Sequence, residues 1–273
     1  MPTLLKKNQR IVKPDNRELE LILQKALTDP LGNASIIANL TQLKADCSVY
    51  AKFKGENPLA VASYYMDLPF NSISLMADSA LDAKHVIDEL AIEHPQLRDM
   101  PIFGLFDKKI TNFVEKIYKV VTKTPEFKMV LSTDEIPDCQ IDKTRYRLER
   151  LTLDDLVNIS WLYSFVPAMA WTPRMLEYGP YFGVYFDDTL VGIGGVHFTT
   201  KWVTEIGNIV THFEHRRQNI AYKCTKAVAD SLHNACYNIF LCVYADNIPA
   251  IRLYEKMGFV KYEDIFLVKY YIA

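Results

Sequence analysis

One stretch, Glu205 to Ala229 (EIGNIVTHFEHRRQNIAYKCTKAVA), limits what this chain can fold into more than any other. Residues 206–213 are rich in β-branched and aromatic side chains and predict a strand, whereas Ala227, Val228 and Ala229 fall at helical spacing. Strand must become helix within a few residues. Between them lies Arg216-Arg217-Gln218-Asn219-Ile220-Ala221, a polar, basic turn whose Asn accepts positive φ and whose small Ala lets other backbone come close. Such a turn leaves the first helical amides without intrahelical partners, and with the helix dipole behind them they form a seat for phosphate. A solvated loop of no particular function would read the same way.

The rest of the chain decides what surrounds that turn. Its 273 residues suit two domains, and an apolar fraction of 49% is enough for a substantial core. A net charge of -2 and a pI near 6.3 argue against nucleic acid as a general partner, so any phosphate site must be local. Five cysteines form no CxxC pair, and the N-terminus lacks an apolar signal core, which together predict a reduced, cytoplasmic protein. No apolar run reaches the roughly 20 residues of a membrane span, so no membrane partner is expected. The histidines are scattered, with only His212 and His215 close together and no further ligands nearby; no metal is expected.

In the first half, two helices (from Asn16, read as a cap, to Ala26, and over Gly32 to Leu43) precede strands at Cys47–Phe53, Leu59–Tyr65 and Ser72–Met76. Ser79 and Asp82 predict a capping box opening a helix through Leu90. A strand at 102–106, a helix at 109–121 and a strand at 127–131 follow. Asp78 and Asp82 stand where a phosphate would lie in this half and repel it, so no phosphorylated cofactor is expected there.

The polar stretch Ile136–Thr144 marks the expected boundary, dividing the chain into 1–140 and 141–273. After it come a strand at Tyr146–Leu151, a helix from the Thr152–Asp155 box to about Phe165, and a short helix capped by Thr172 with Pro173 in its first turn. Trp161, Trp171, Tyr163, Tyr178, Tyr181 and Phe182 crowd the next segment, which reads as core packing or as one wall of a pocket. A hairpin turns at Asp187-Asp188-Thr189. The long helix is expected to reach about Ala235, and the near-continuous apolar run Ile239–Tyr244 predicts a strand buried on both faces. Asn247 caps a last helix that Gly258 ends, and strands at Val260–Tyr262 and Phe266–Ile272 close the chain. Both halves share one order of elements, but seven of the ten glycines lie between Gly179 and Gly258.

Arg216-x-x-Asn219-x-Ala221 resembles the Arg/Gln-x-x-Gly-x-Gly/Ala signature of the GNAT superfamily of acyl-CoA N-acyltransferases, with Asn219 in place of the usual first Gly. Asn247-x-x-Ala250-x-x-x-Tyr254-x-x-x-Gly258-Phe259 resembles the last helix of the same superfamily. The resemblance covers about 145–273. It implies an α/β (α+β) chain of two tandem GNAT-like domains, each a mixed, mostly antiparallel splayed sheet flanked by helices, as in glycine N-acyltransferase-like proteins. The first domain would be degenerate, narrowing the acceptor entrance or mediating a homodimer.

The resemblance further implies acetyl-CoA as acyl donor. Its pyrophosphate would rest on Arg216, Arg217, Gln218, Asn219, Ile220, Ala221 and Tyr222, and its pantetheine would run along Ile209, Val210 and Thr211 and past Asn247. Glu205 stands where several members carry a base, with Glu214 and His212 in reserve; Tyr254 stands where the family usually has its general acid. The expected acceptor is a small amine or amino acid, with a protein amine as second choice. A non-catalytic acyl-CoA-binding module and an enzyme using a longer acyl-CoA are the alternative readings.

Overall fold

The computed structural model describes residues 8–233 and 235–272. In chain order its elements begin with β1 (Gln9–Val12), α1 (Asn16–Ala26), α2 (Ala34–Leu40), β2 (Cys47–Lys54), β3 (Asn57–Tyr65), β4 (Asn71–Ala77) and α3 (Ala80–Glu93). Then come α4 (Gln96–Asp99), β5 (Ile102–Asp107), α5 (Lys108–Ile117), β6 (Lys119–Leu131), β7 (Tyr146–Arg150), α6 (Leu156–Phe165) and α7 (Met175–Tyr178). The chain finishes with β8 (Phe182–Phe186), β9 (Thr189–Thr199), β10 (Thr204–Thr211), α8 (Ile220–Leu232), β11 (Ile239–Tyr244), α9 (Ile248–Lys256) and β12 (Phe259–Tyr271).

Local chemistry accounts for most of these boundaries and corrects several expectations. Asp15, not Asn16, caps α1, because its carboxylate accepts from the Glu18 amide while Glu18 returns a bond to the Asp15 amide. Helix α5 ends at Ile117, and β6 starts at Lys119 rather than at 127. Its run of β-branched residues around Lys119–Thr124 favours extended backbone. Arg174, not Thr172, is the N-cap of α7, and the Thr172 carbonyl accepts from the Met175 amide. The two strands expected after Gly258 are one, β12.

The chain forms two compact units that do not coincide with 1–140 and 141–273. One runs to Glu126 and also takes the residues from Asp264 onward; the other is Phe127–Glu263. In the first unit the strands order as β1-β2-β3-β4-β5-β12, with Ile265–Tyr270 of β12 antiparallel to β5. Val268, Tyr270 and Ile272 thereby join Val86, Ile87, Leu90, Phe106 and Val114 in its core. The polar linker composition that suggested a boundary at 136–144 says nothing of this long-range pairing, because β12 reaches β5 across more than a hundred residues of sequence.

In the second unit the order is β6-β11-β10-β9-β8-β7, with β10 parallel to β11 and the pairs β10/β9, β9/β8 and β8/β7 antiparallel. Helix α8 lies on β8, β9 and β10. It approaches closely because Gly192 and Gly194 carry no side chain: a Cβ at 192 would overlap Ile220, and one at 194 would stand 3.2 Å from the Cys224 Cβ. Tyr146, Val184, Val191, Ile220 and Cys224 form the packed cluster beneath it.

Candidate active site

The site starts with a parting of strands. β10 and β11 pair at Thr204 with Ile239, Glu205 with Phe240 and Ile206 with Leu241, and the register ends there. Both strands continue, β10 to Thr211 and β11 to Tyr244, so Gly207–Thr211 and Cys242–Tyr244 flank a gap. On its other side β10 bulges against β9: the pairing passes from Gly207 with Gly195 to Val210 with Ile193, so that Asn208 and Ile209 together stand opposite Gly194. Asn208 takes a left-handed φ of 54°.

Buried aromatics hold that bulge. Tyr181, wholly enclosed, accepts from Asn208 Nδ2 at 2.9 Å and donates to the Val196 carbonyl at 2.8 Å. Tyr163 donates to the Asn208 carbonyl at 3.1 Å. Burial pushes both phenols well above their usual pKa, which keeps them protonated as donors. Sequence reasoning expected an unbroken strand over 206–213 and missed Asn208, Tyr163 and Tyr181 as parts of one device. The available signal was an Asn directly after a Gly inside a β-branched run, since Asn tolerates positive φ better than other side chains.

From the C-terminal end of β10 the chain enters the basic turn. Arg217 and Asn219 are both left-handed, at φ 65° and 59°, as the Asn-for-Gly departure requires. Asn219 is the N-cap of α8 by backbone position but makes no capping bond; its Nδ2 donates instead to the Gln140 carbonyl at 2.8 Å. The first helical bond is Lys223 to Asn219, and among the described residues no protein acceptor is bonded to the amides of Ile220, Ala221 and Tyr222. Three donors at a helix start, beside exposed Arg216, Arg217 and Gln218, make an anion seat. Residues 137–140 line one side: Tyr222 donates to the Pro137 carbonyl at 2.8 Å, and Lys223 pairs with Asp138. Residues 137–140, within the stretch expected to mark a domain boundary, therefore pack on the start of α8.

The candidate chemical groups stand as follows. Glu205 is buried on the paired part of β10, with its Oε1 3.2 Å from His197 Nδ1. Tyr254, on α9, is buried against the edge of Phe259, and among the described residues nothing bonds its hydroxyl. Burial raises its pKa, so the phenol remains a proton donor through the neutral range. Asn247 caps α9 by accepting from the Ala250 amide at 3.3 Å. His212 is enclosed by Trp161, Phe165 and Phe213, stacked on Trp161 at 5.7 Å, and Glu214 is exposed in the turn after β10. His197 was not singled out from the sequence at all. Among the described residues no group of three or more His, Cys, Asp or Glu could hold a metal ion, and no helix is long and apolar enough to cross a membrane.

Residues 148–259 match the family model described as the acetyltransferase (GNAT) family. The second unit thus carries a GNAT acetyltransferase domain. No curated protein matches the sequence significantly. Among solved structures, a Drosophila protein superposes with a TM-score of 0.74 at 14% identity, covering 98% of this chain and 99% of its own. A tandem GNAT protein from the clavulanic acid biosynthesis pathway gives 0.65 at 14% identity over 96% of this chain and 98% of its own. A putative GNAT-family acetyltransferase from Novosphingobium aromaticivorans gives 0.61 at 17% identity over 78% and 88%. At these identities the likeness is one of fold, and the mixed α/β fold of this chain is that of GNAT proteins, tandem ones included.

Proposed function

We propose that the second unit is an N-acetyltransferase that moves the acetyl group of acetyl-CoA to a primary amine by direct attack, with no acyl-enzyme. The observation that carries this is the strand gap, which opens after Ile206 and Leu241 toward the strand ends, where β10 leads into the unpaired amides of α8. These features fit the donor's two unlike parts. A diphosphate suits the amides of Ile220–Tyr222 with Arg216, Arg217 and Gln218 around them. A pantetheine arm suits the backbone of Ile209, Val210 and Thr211, as an extended segment added beside a strand. Asn247 stands at the start of α9, after the other strand of the gap, and would meet the same arm.

Amide formation needs an amine stripped of its proton and a proton for the departing thiolate. The first task falls to the paired Glu205 and His197, one residue from the point where the strands part. The second falls to Tyr254, a buried phenol that stays protonated. The acceptor proposed is a small amine or amino acid.

The first unit is proposed to have lost its donor seat. Its strands β4 and β5 also part early, pairing only at Asn71 with Ile102 and Ser72 with Phe103. The helix start that follows is filled by the protein itself. Ser79 Oγ accepts from the Asp82 amide, and Asp82 is paired to the buried Lys52 at 2.6 Å. Lys109 Nζ donates to the carbonyl of Ala77 at the end of β4 at 3.0 Å. An internal carboxylate at the helix start leaves no place for phosphate.

Calorimetry with acetyl-CoA, and thiol release from it against a set of amines and amino acids, test the reading. Binding of one equivalent and amine-dependent release are expected. Failure to bind either acetyl-CoA or CoA would overturn it.

A further inference from the structure

Simple alternation along β10 would send Gly207 and Asn208 to opposite faces of the sheet, but the bulge overrides it. Gly207 and Gly195 are register partners and so share a face. A Cβ on Gly195 would overlap the Tyr181 ring, and one on Gly207 the His197 ring, which places both rings on that face. Glu205, whose Oε1 is 3.2 Å from the His197 imidazole, lies there too. Asn208 is left-handed, and its side chain reaches Tyr181. The bulge has therefore turned this carboxamide onto the face that carries the carboxylate and the imidazole, two residues past the last pairing of β10 with β11.

Hydrogen bonds around Tyr181 fix which way the carboxamide lies. The phenol gives its one hydrogen to the Val196 carbonyl at 2.8 Å, so it can only accept from Asn208, and the atom facing it at 2.9 Å is Nδ2. Nδ2 also meets the Ala170 carbonyl and Met175 Sδ, both at 3.4 Å. Its N–H groups are thus directed into the protein. Oδ1, on the other branch, has no bonded partner among the described residues and is not one of their enclosed polar atoms. An amide oxygen only accepts, so whatever meets it must bring a hydrogen of its own.

With the pantetheine along Ile209–Thr211, the thioester comes at the Asn208 end of that run. We propose that Asn208 Oδ1 accepts a hydrogen bond from the attacking nitrogen and thereby selects primary amines. This rests on the acyl-transfer reading above and names the residue that recognises its acceptor. A primary ammonium carries three hydrogens on nitrogen. One leaves as a proton to the pair of Glu205 and His197, and the freed electron pair attacks the thioester carbon, forming the C–N bond. The C–S bond breaks, and the thiolate takes the Tyr254 phenol proton. The second nitrogen proton restores Tyr254, directly or through water. The third stays against Oδ1 as the N–H of the product amide. The products are the amide, CoA thiol and one proton released to solvent. A secondary ammonium has two hydrogens, both consumed, and leaves Oδ1 without a donor.

The test runs the panel of amines and amino acids together with the N-methyl derivative of each member, on the parent and on Asn208→Gly. Glycine keeps a left-handed backbone without strain and deletes only the carboxamide. In the parent, kcat/KM should favour each primary amine over its N-methyl derivative by about 10-fold or more. The variant should bind acetyl-CoA in calorimetry as the parent does, lose about 10- to 100-fold in kcat/KM for primary amines, and change little toward N-methyl ones. A parent that acetylates both kinds alike would overturn the assignment whether or not the variant folds. So would a variant that keeps the primary-amine rate and gains the N-methyl one, since Asn208 would then act by bulk alone. A loss confined to the Kd for acetyl-CoA would also overturn it, by putting Oδ1 on the pantetheine. A parent that binds no acetyl-CoA, or acetylates no member of the panel, sinks the acyl-transfer reading itself and this assignment with it.

Discussion

Replacing Asn219 tests the donor seat most directly, because the backbone there does what a glycine does in the related signature. At φ 59° and ψ 16° the residue is left-handed. An ordinary L-residue pays about 1–2 kcal/mol in that region, glycine pays nothing, and Asn lies between. The side chain adds one exposed hydrogen bond to the Gln140 carbonyl, worth about 0.5 kcal/mol at the low end of its range. Asn219→Gly loses the bond and removes the strain, so it should stay within about 0.5 kcal/mol of the parent. Asn219→Ala loses the bond and meets the full strain. A turn that relaxes to escape it must be rebuilt before the amides of Ile220–Tyr222 converge on an anion. The two variants should then differ by about 1–2 kcal/mol, or roughly 5- to 30-fold in the Kd for acetyl-CoA, read by calorimetry. Equal affinity in the Ala and Gly variants would refute the reasoning. So would a Gly variant weaker than the Ala one, since strain would then not be what shapes the seat.

Tyr254→Phe should lower kcat by about 10²-fold or more while acetyl-CoA still binds, because among the described residues the hydroxyl has no bonded partner to lose; an unchanged kcat measured by thiol release removes Tyr254 from the chemistry. In the first unit, Lys52→Met strands the Asp82 carboxylate and should cost about 3 kcal/mol near neutral pH, measured by denaturant unfolding. Burial alone would raise the Asp82 carboxyl, but bonds from Lys52 and Ser79 outweigh it and hold it below its ordinary value. The pair's contribution is therefore present above the unfolded pKa of about 4 and fades as pH falls below it, so parent and variant should converge in acid. A gap that persists at low pH would contradict this. Tyr118, Tyr163, Tyr181, Tyr254 and Tyr270 are all raised chiefly by burial, and Tyr185 is pushed up to about 12. Unfolded tyrosines ionise near pH 10 while these do not, so stability should drop as pH climbs above about 10. Spectrophotometric titration should show this group ionising only as the fold is lost; smooth ionisation in the native state would refute it.

Much of the site could be read in one dimension. Strand, turn and helix around Arg216–Ala221 follow from periodicity and from the few residue types that accept a left-handed backbone. The Asn247 cap and the turn at Gly258 follow from capping chemistry, which is local. The Ser79 cap of α3 was likewise legible, whereas the Asp82 carboxylate, expected to complete a capping box, bonds Lys52 and the Ser79 hydroxyl instead. Where signals were non-local they were absent. The bulge at Asn208 depends on Tyr163 and Tyr181, 45 and 27 residues earlier, and no spacing rule connects them. His197 reads as one polar residue in an apolar strand until a register slip against β10 turns it over Gly207 and beside Glu205.

Sequence alone thus determined most of the helices and strands, the turn that frees the α8 amides, and the residue types available for binding and proton transfer, because each depends on neighbours within a turn or two. Tertiary structure decided which strands pair and where they part. It placed β12 beside β5, packed residues 137–140 on the start of α8, and set an imidazole against the buried carboxylate. Register and burial come from contacts between residues distant in the chain, and these contacts exist only once the sheet has formed.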